Sequence, residues 1–138
     1  MTADEIIKRL DLAEHPEGGW FRQTWQADDG PRASGTCIYF LLRAGERSHW
    51  HRVDATEIWH FYAGAPLTLS LSENDEGPAV MHRLGPGLEN GEVPQIIVPR
   101  HHWQSARAED GWALVGCTVS PGFQFEGFEL ASPEFDIP

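Results

Sequence analysis

The stretch "SHWHRVDATEIWHF", residues 48–61, decides the fold. It reads as two short strands joined by a turn. Side chains alternate along a strand, so His49 and His51 face one way and Trp50 the other. In the second strand Glu57, Trp59 and Phe61 share one face, while Ile58, His60 and Tyr62 share the opposite one. Two imidazoles separated by about 6–7 Å of strand rise can lean toward one ion. A carboxylate supplies a harder third ligand, and Glu57 opens the second strand in position to be it. Asp54, in the connecting turn, is the weaker candidate. Pairing of the two strands would present His49, His51, Glu57, Trp59 and Phe61 to one cavity.

Outward from this hairpin, most of the chain alternates between short apolar runs and turn signals. Strands are expected near 20–26, 35–43, 47–51, 57–63, 67–72, 79–84, 94–98, 103–107, 112–119 and 123–131. "DDGP", "SENDEGP", "GPGLENGE" and "EDG" punctuate them. Leu67, Leu69 and Leu71 alternate with Thr68, Ser70 and Ser72. "FQFEGFEL" alternates with a shift at Gly127, which predicts a bulge. One helix is expected, over about 3–12. Thr2 and Glu5 match a capping box, Ile6, Ile7 and Leu10 form its apolar stripe, and "HPEGG", residues 15–19, ends it. His15 reads as a structural turn residue. The pattern predicts an all-β sandwich or barrel behind a short N-terminal helix, with all 138 residues in one domain and a short C-terminal tail.

Composition bounds the function. Six Trp and seven Phe are enough for a real core. A net charge of −11 argues against nucleic acid, whose phosphates need a basic surface, and against anionic membranes. No apolar run reaches the roughly 20 residues of a membrane helix. The first residues, "MTADEIIKRL", are charged and amphipathic, unlike a signal peptide, so the expected location is the cytoplasm. Cys37 and Cys117 lie in apolar runs and read as buried thiols, and Cys117 has no neighbour that would activate it as a nucleophile.

Residues 45–64, "GERSHWHRVDATEIWHFYAG", resemble the first motif of the cupin superfamily. Gly45, His49, His51, Glu57 and Gly64 stand in for its glycines, histidines and glutamate. The spacing departs from the motif between Gly45 and His49 and between His51 and Glu57. "HPEGGWFRQTW" and "GTCIYFLL" resemble one branch of small single-domain cupins. The second cupin motif is similar to "GEVPQIIVPRHHWQSAR". There Pro99 takes the motif proline, His101 stands where glycine is expected, and Gln104 stands where the metal histidine is expected. The resemblance implies a jelly-roll barrel (a double-stranded β-helix), often a homodimer, with a ligand pocket in its mouth. It implies one divalent transition metal ion (Zn, Fe, Ni or Mn) on His49, His51, Glu57 and a weaker Gln104, with His102 as a substitute.

Three functions follow as expectations. The first is metal-assisted isomerase, epimerase, lyase or oxygenase chemistry on a small polar molecule, such as a sugar derivative, with His51 and Glu57 as catalytic groups. The second is metal-free acid–base chemistry by His51 with Glu57 or Asp54, as in the epimerase-like cupins. A neighbouring carboxylate would raise the His51 pKa and suit it to be the acid. The third is a binding module without turnover. Its pocket would use Tyr39, Trp59, Phe61 and Trp103, with Arg22 or Arg43 as anion anchors and Gln23 as a polar contact.

Overall fold

The structure is a computed structural model that describes residues 1–138. Helix α1 (Ala3–Arg9) is shorter than the predicted 3–12. Its capping box forms as read: Thr2 Oγ1 accepts from the Glu5 N–H at 3.2 Å, and Glu5 Oε1 accepts from the Thr2 N–H at 3.1 Å. The chain leaves the helix at Leu10 and Asp11, where Asp11 takes a positive φ of 55°.

Eleven strands follow: β1 (Ala13–Glu14), β2 (Trp20–Gln26), β3 (Thr36–Leu42), β4 (Arg47–Val53), β5 (Thr56–Gly64), β6 (Leu67–Ser72), β7 (Val80–Leu84), β8 (Gln95–Val98), β9 (Trp103–Ala108), β10 (Ala113–Ser120) and β11 (Phe128–Leu130). They form two antiparallel sheets, ordered β1-β2-β3-β10-β5-β8 and β11-β4-β9-β6-β7. The inner faces of both sheets meet in one core, where Phe40, Leu42, Trp59 and Val115 from the first pack against Leu67, Leu69 and Ala106 from the second. The alternation of "LTLSLS" is realised, with Leu67 and Leu69 buried.

Two outer layers matter for the site. Ile6 and Leu12 pack with Leu41 against the outside of the first sheet. The last residues cross the outside of the second sheet, where Ile137 and Phe135 cover Trp50 and Trp103. Trp50 Nε1 donates to Asp136 at 2.8 Å and Trp103 Nε1 donates to Asp75 at 2.8 Å.

The predicted strand 123–131 is not continuous. A 3₁₀ turn (Phe125–Gly127) precedes β11, in place of a bulge at Gly127. Arg32 Nε donates to the Gly122 carbonyl at 3.0 Å, and the Asp54 N–H donates to the Gly127 carbonyl at 3.1 Å. Arg32 also grips Asp54 through both terminal nitrogens, at 3.0 and 2.7 Å. This clamp, rather than a strand neighbour, shapes the segment. No helix is long and apolar enough to cross a membrane.

Candidate functional site

The hairpin that opened the sequence reading departs from simple alternation at one point. Ser48 pairs with Ala106 and His51 pairs with Gln104. Three steps along β4 therefore match two along β9, which is a β-bulge carrying one extra residue. The bulge leaves Ser48, His51 and Val53 facing inward and turns His49 out. The predicted pairing of His49 and His51 on one face is overturned for this reason. The His49 ring stays on the outside, where Nδ1 accepts from Arg47 at 2.8 Å and Nε2 donates to the Ser132 carbonyl at 2.8 Å.

The main chain of the bulge does what its side chain does not. The His49 N–H donates to the Glu17 carbonyl at 2.7 Å, and the His49 carbonyl accepts from His51 Nδ1 at 2.7 Å. The bulge therefore fixes both the His51 ring and the turn "HPEGG". That turn brings in a carboxylate the sequence reading passed over, Glu17. It runs close under β4 because of Gly18: a Cβ there would lie 2.3 Å from the Arg47 carbonyl oxygen, and its φ is +106°.

A cavity of about 200 Å³ opens between the sheets, lined by His15, Glu17, Phe21, Gln23, Thr36, Ile38, His51, Val53, Glu57, Val119, Phe123 and Phe125. Its polar groups are deeply buried: Glu17, His51 and Glu57 are 9, 2 and 7% exposed. His51 Nε2 stands 3.4 Å from Glu17 Oε2, and His15 Nδ1 stands 3.3 Å from Glu17 Oε1. Ser48 Oγ donates to the same Glu17 Oε2.

The tautomers follow from the outer partners. His51 Nδ1 gives its proton to the His49 carbonyl, so Nε2 carries a lone pair. His15 Nδ1 accepts the Glu17 N–H at 3.2 Å, so its one lone pair is already taken. One free lone pair, on His51 Nε2, therefore faces the Glu17 carboxyl at Oε2. That arrangement suits a carboxylic acid and opposes a carboxylate. Burial acts in the same sense, raising the Glu17 pKa from the ordinary 4.5 to about 8, although the Ser48 hydrogen bond pulls the other way. Burial, with the His51 charge second, lowers His15 to about 4. Burial also lowers His51, against the pull of Glu57, and raises Glu57, against the pull of His51. Burial thus favours the neutral forms of both partners in these close His–Glu contacts. The expected raising of His51 by a carboxylate is reversed, because desolvation outweighs it.

The other predicted residues separate cleanly. Gln104 faces inward and is fully buried, which settles its register, while His102 lies ahead of β9 in a turn. Gln104 Oε1 accepts from Trp59 Nε1 at 2.8 Å and Gln104 Nε2 donates to Glu57 Oε1 at 2.8 Å, so its amide anchors Glu57. His101 takes a φ of +68°, the left-handed conformation that explains the motif's glycine at that position. Trp59 and Phe61 belong to the core and do not line the cavity. Trp103 lies on the outer side of the second sheet, with Arg52 4.4 Å above its ring. Tyr39 lies on the outer side of the first sheet, with Arg22 5.7 Å from its ring centre. Arg43 pairs with Asp4 at 2.7 Å beside α1. Of the proposed ligand contacts only Gln23 lines the cavity. Asp54 is committed to Arg32 and does not reach His51.

Residues 4–131 match the family described as Cupin superfamily (DUF985). The chain belongs to that cupin family. Protein SO0799 from Shewanella oneidensis is 44% identical, with a TM-score of 0.89 over 96% of this chain and 85% of that one. A hypothetical protein from Leishmania major is 34% identical, with a TM-score of 0.83 over 96% of this chain and 88% of that one. Oxalate decarboxylase from Bacillus subtilis shares the fold alone, at 15% identity and a TM-score of 0.67 over 88% of this chain and 30% of that one. No curated protein is significantly similar.

The metal set implied by the cupin motifs does not assemble in this cupin. His49 faces outward, and the Gln104 oxygen is taken by the Trp59 indole. No three His, Cys, Asp or Glu side chains are grouped so as to hold an ion. The residues present do not fit the implied metal.

Proposed function

We propose that this cupin is a metal-free acid–base enzyme in which Glu17 is the general acid and His51 the general base. The observation that supports it is the free lone pair of His51 Nε2 standing 3.4 Å from the buried Glu17 carboxyl, inside the cavity. A carboxylic acid held neutral near pH 7 beside a neutral imidazole is the arrangement proton transfer requires.

A substrate carbonyl oxygen takes the proton of Glu17. His51 Nε2 takes the proton of the adjacent carbon, and the electrons of that C–H bond form the carbon–carbon double bond of an enol. Glu17 ends as a carboxylate and His51 as an imidazolium, so a neutral pair becomes an ion pair. Glu57 favours that imidazolium by its charge. Return of the proton to another face or another carbon completes an epimerisation or isomerisation.

The test needs no known substrate. Small aldehydes and ketones are incubated with the protein in D₂O, and loss of the hydrogen next to the carbonyl is followed by NMR. The wild type is expected to exchange at least one of them. Glu17→Gln and His51→Ala should each slow that exchange by about 10² or more, the usual contribution of a positioned acid or base. Binding without exchange in the wild type would instead make the cavity a binding module.

A further inference from the structure

We infer that the cavity takes a compact uncharged molecule, with a carbonyl or hydroxyl group at one end and an apolar body, and rejects organic anions. The inference rests on the acid–base reading for where the polar end sits, and on the walls for the rest. No Arg or Lys lines the cavity. Arginines on the surrounding segments are committed elsewhere: Arg22 over the Tyr39 ring, Arg32 to Asp54 and the Gly122 carbonyl, Arg47 to His49, Arg52 to Glu129. A carboxylate or phosphate entering would lose its water with no cation to receive it, beside two carboxyl groups.

The walls select against sugars as well. Phe21, Phe123, Phe125, Ile38, Val53 and Val119 make up half of the lining. Phe123 and Phe125 stand edge to face, with ring centres 5.0 Å apart. A polyol would leave several hydroxyls unpaired against these side chains. Above the floor the wall offers two polar side chains, both uncharged. Thr36 Oγ1 already accepts the Phe123 N–H at 3.0 Å, which leaves its O–H and the amide of Gln23. A volume of about 200 Å³ suits a ligand about the size of one substituted ring.

Four compounds of nearly equal shape test this by calorimetry at pH 7: benzyl alcohol, benzaldehyde, benzoate and benzylammonium. The two neutral compounds are expected to bind at least about tenfold more tightly than either ion, the ratio that one pK unit of disfavour would give. The exposed Gln23→Arg variant, which adds the missing cation, should narrow the gap for benzoate. Benzoate or benzylammonium binding the wild type as well as benzyl alcohol would overturn the inference, and so would no binding of either neutral compound. Failure of the acid–base reading is distinguishable. It appears as exchange that Glu17→Gln leaves unchanged, whichever compounds bind.

Discussion

Replacing Glu17 with Gln should change how stability depends on pH, and the size of the change follows from the site. In the folded protein Glu17 titrates near 8, against 4.5 for an ordinary glutamate. Between those values the unfolded chain has released the proton while the folded chain keeps it. The unfolded state then binds fewer protons, so stability falls as pH rises. The slope is about 1.4 kcal/mol per pH unit, which gives an upper figure of about 5 kcal/mol across the window. His15 works in the opposite sense, because its pKa falls from 6.5 to about 4. In the wild type the two slopes offset each other up to about pH 6.5, and the Glu17 loss stands out above it. Glu17→Gln keeps the shape of the side chain and an oxygen that can accept from Ser48, but cannot ionise. Urea unfolding of both proteins from pH 4 to 9, followed by tryptophan fluorescence, gives the difference directly. Groups common to both largely drop out. The variant should gain on the wild type steadily up to about pH 8 and then level off. Parallel pH profiles would refute the buried acid and the argument built on its imidazole neighbour.

Three further outcomes are expected. Gly18→Ala should destabilise by about 3 kcal/mol in urea unfolding, because a left-handed residue acquires a Cβ against the Arg47 carbonyl. Gln104→Leu leaves the Trp59 indole N–H and Glu57 Oε1 without partners and should cost at least about 2 kcal/mol in the same assay. His49→Ala removes only ring contacts on the outside and should stay within about 1 kcal/mol of the wild type. Elemental analysis should find its metal content equal to that of the wild type.

How far the sequence reveals this site depends on which residue is considered. The two-sheet barrel is legible because Leu67, Leu69 and Leu71 alternate and turn residues mark the ends of the strands. Glu57 is legible for the same reason, since β5 keeps its period from Thr56 to Trp59. His51 faces the cavity, but its neighbour there is Glu17 and not His49. The bulge between Ser48 and His51 adds one residue with no glycine or proline to announce it, and one residue is enough to reverse a face. Glu17 was out of reach of periodicity, because it sits in a turn and is buried by contacts with His15 and with β4. The signal available was the Gly18–Gly19 pair, both with positive φ, which marks a backbone pressed against something. The aromatic wall was hidden in "FQFEGFEL", which alternates like a strand but is held as a turn by the Arg32–Asp54 clamp. Direct pairing to Glu57 or Asp54 failed as an expectation because Asp54 already has a cation and Glu57 has Gln104.

The central claim is that buried Glu17 holds a proton at neutral pH beside the free lone pair of His51 Nε2. Infrared difference spectroscopy of the wild type against Glu17→Gln tests it most directly, through the C=O stretch of a protonated carboxyl group. The account predicts that band at pH 7 in the wild type, absent from the variant, and fading with a midpoint near 8. A carboxylate signature for Glu17 throughout pH 6–7 would contradict it.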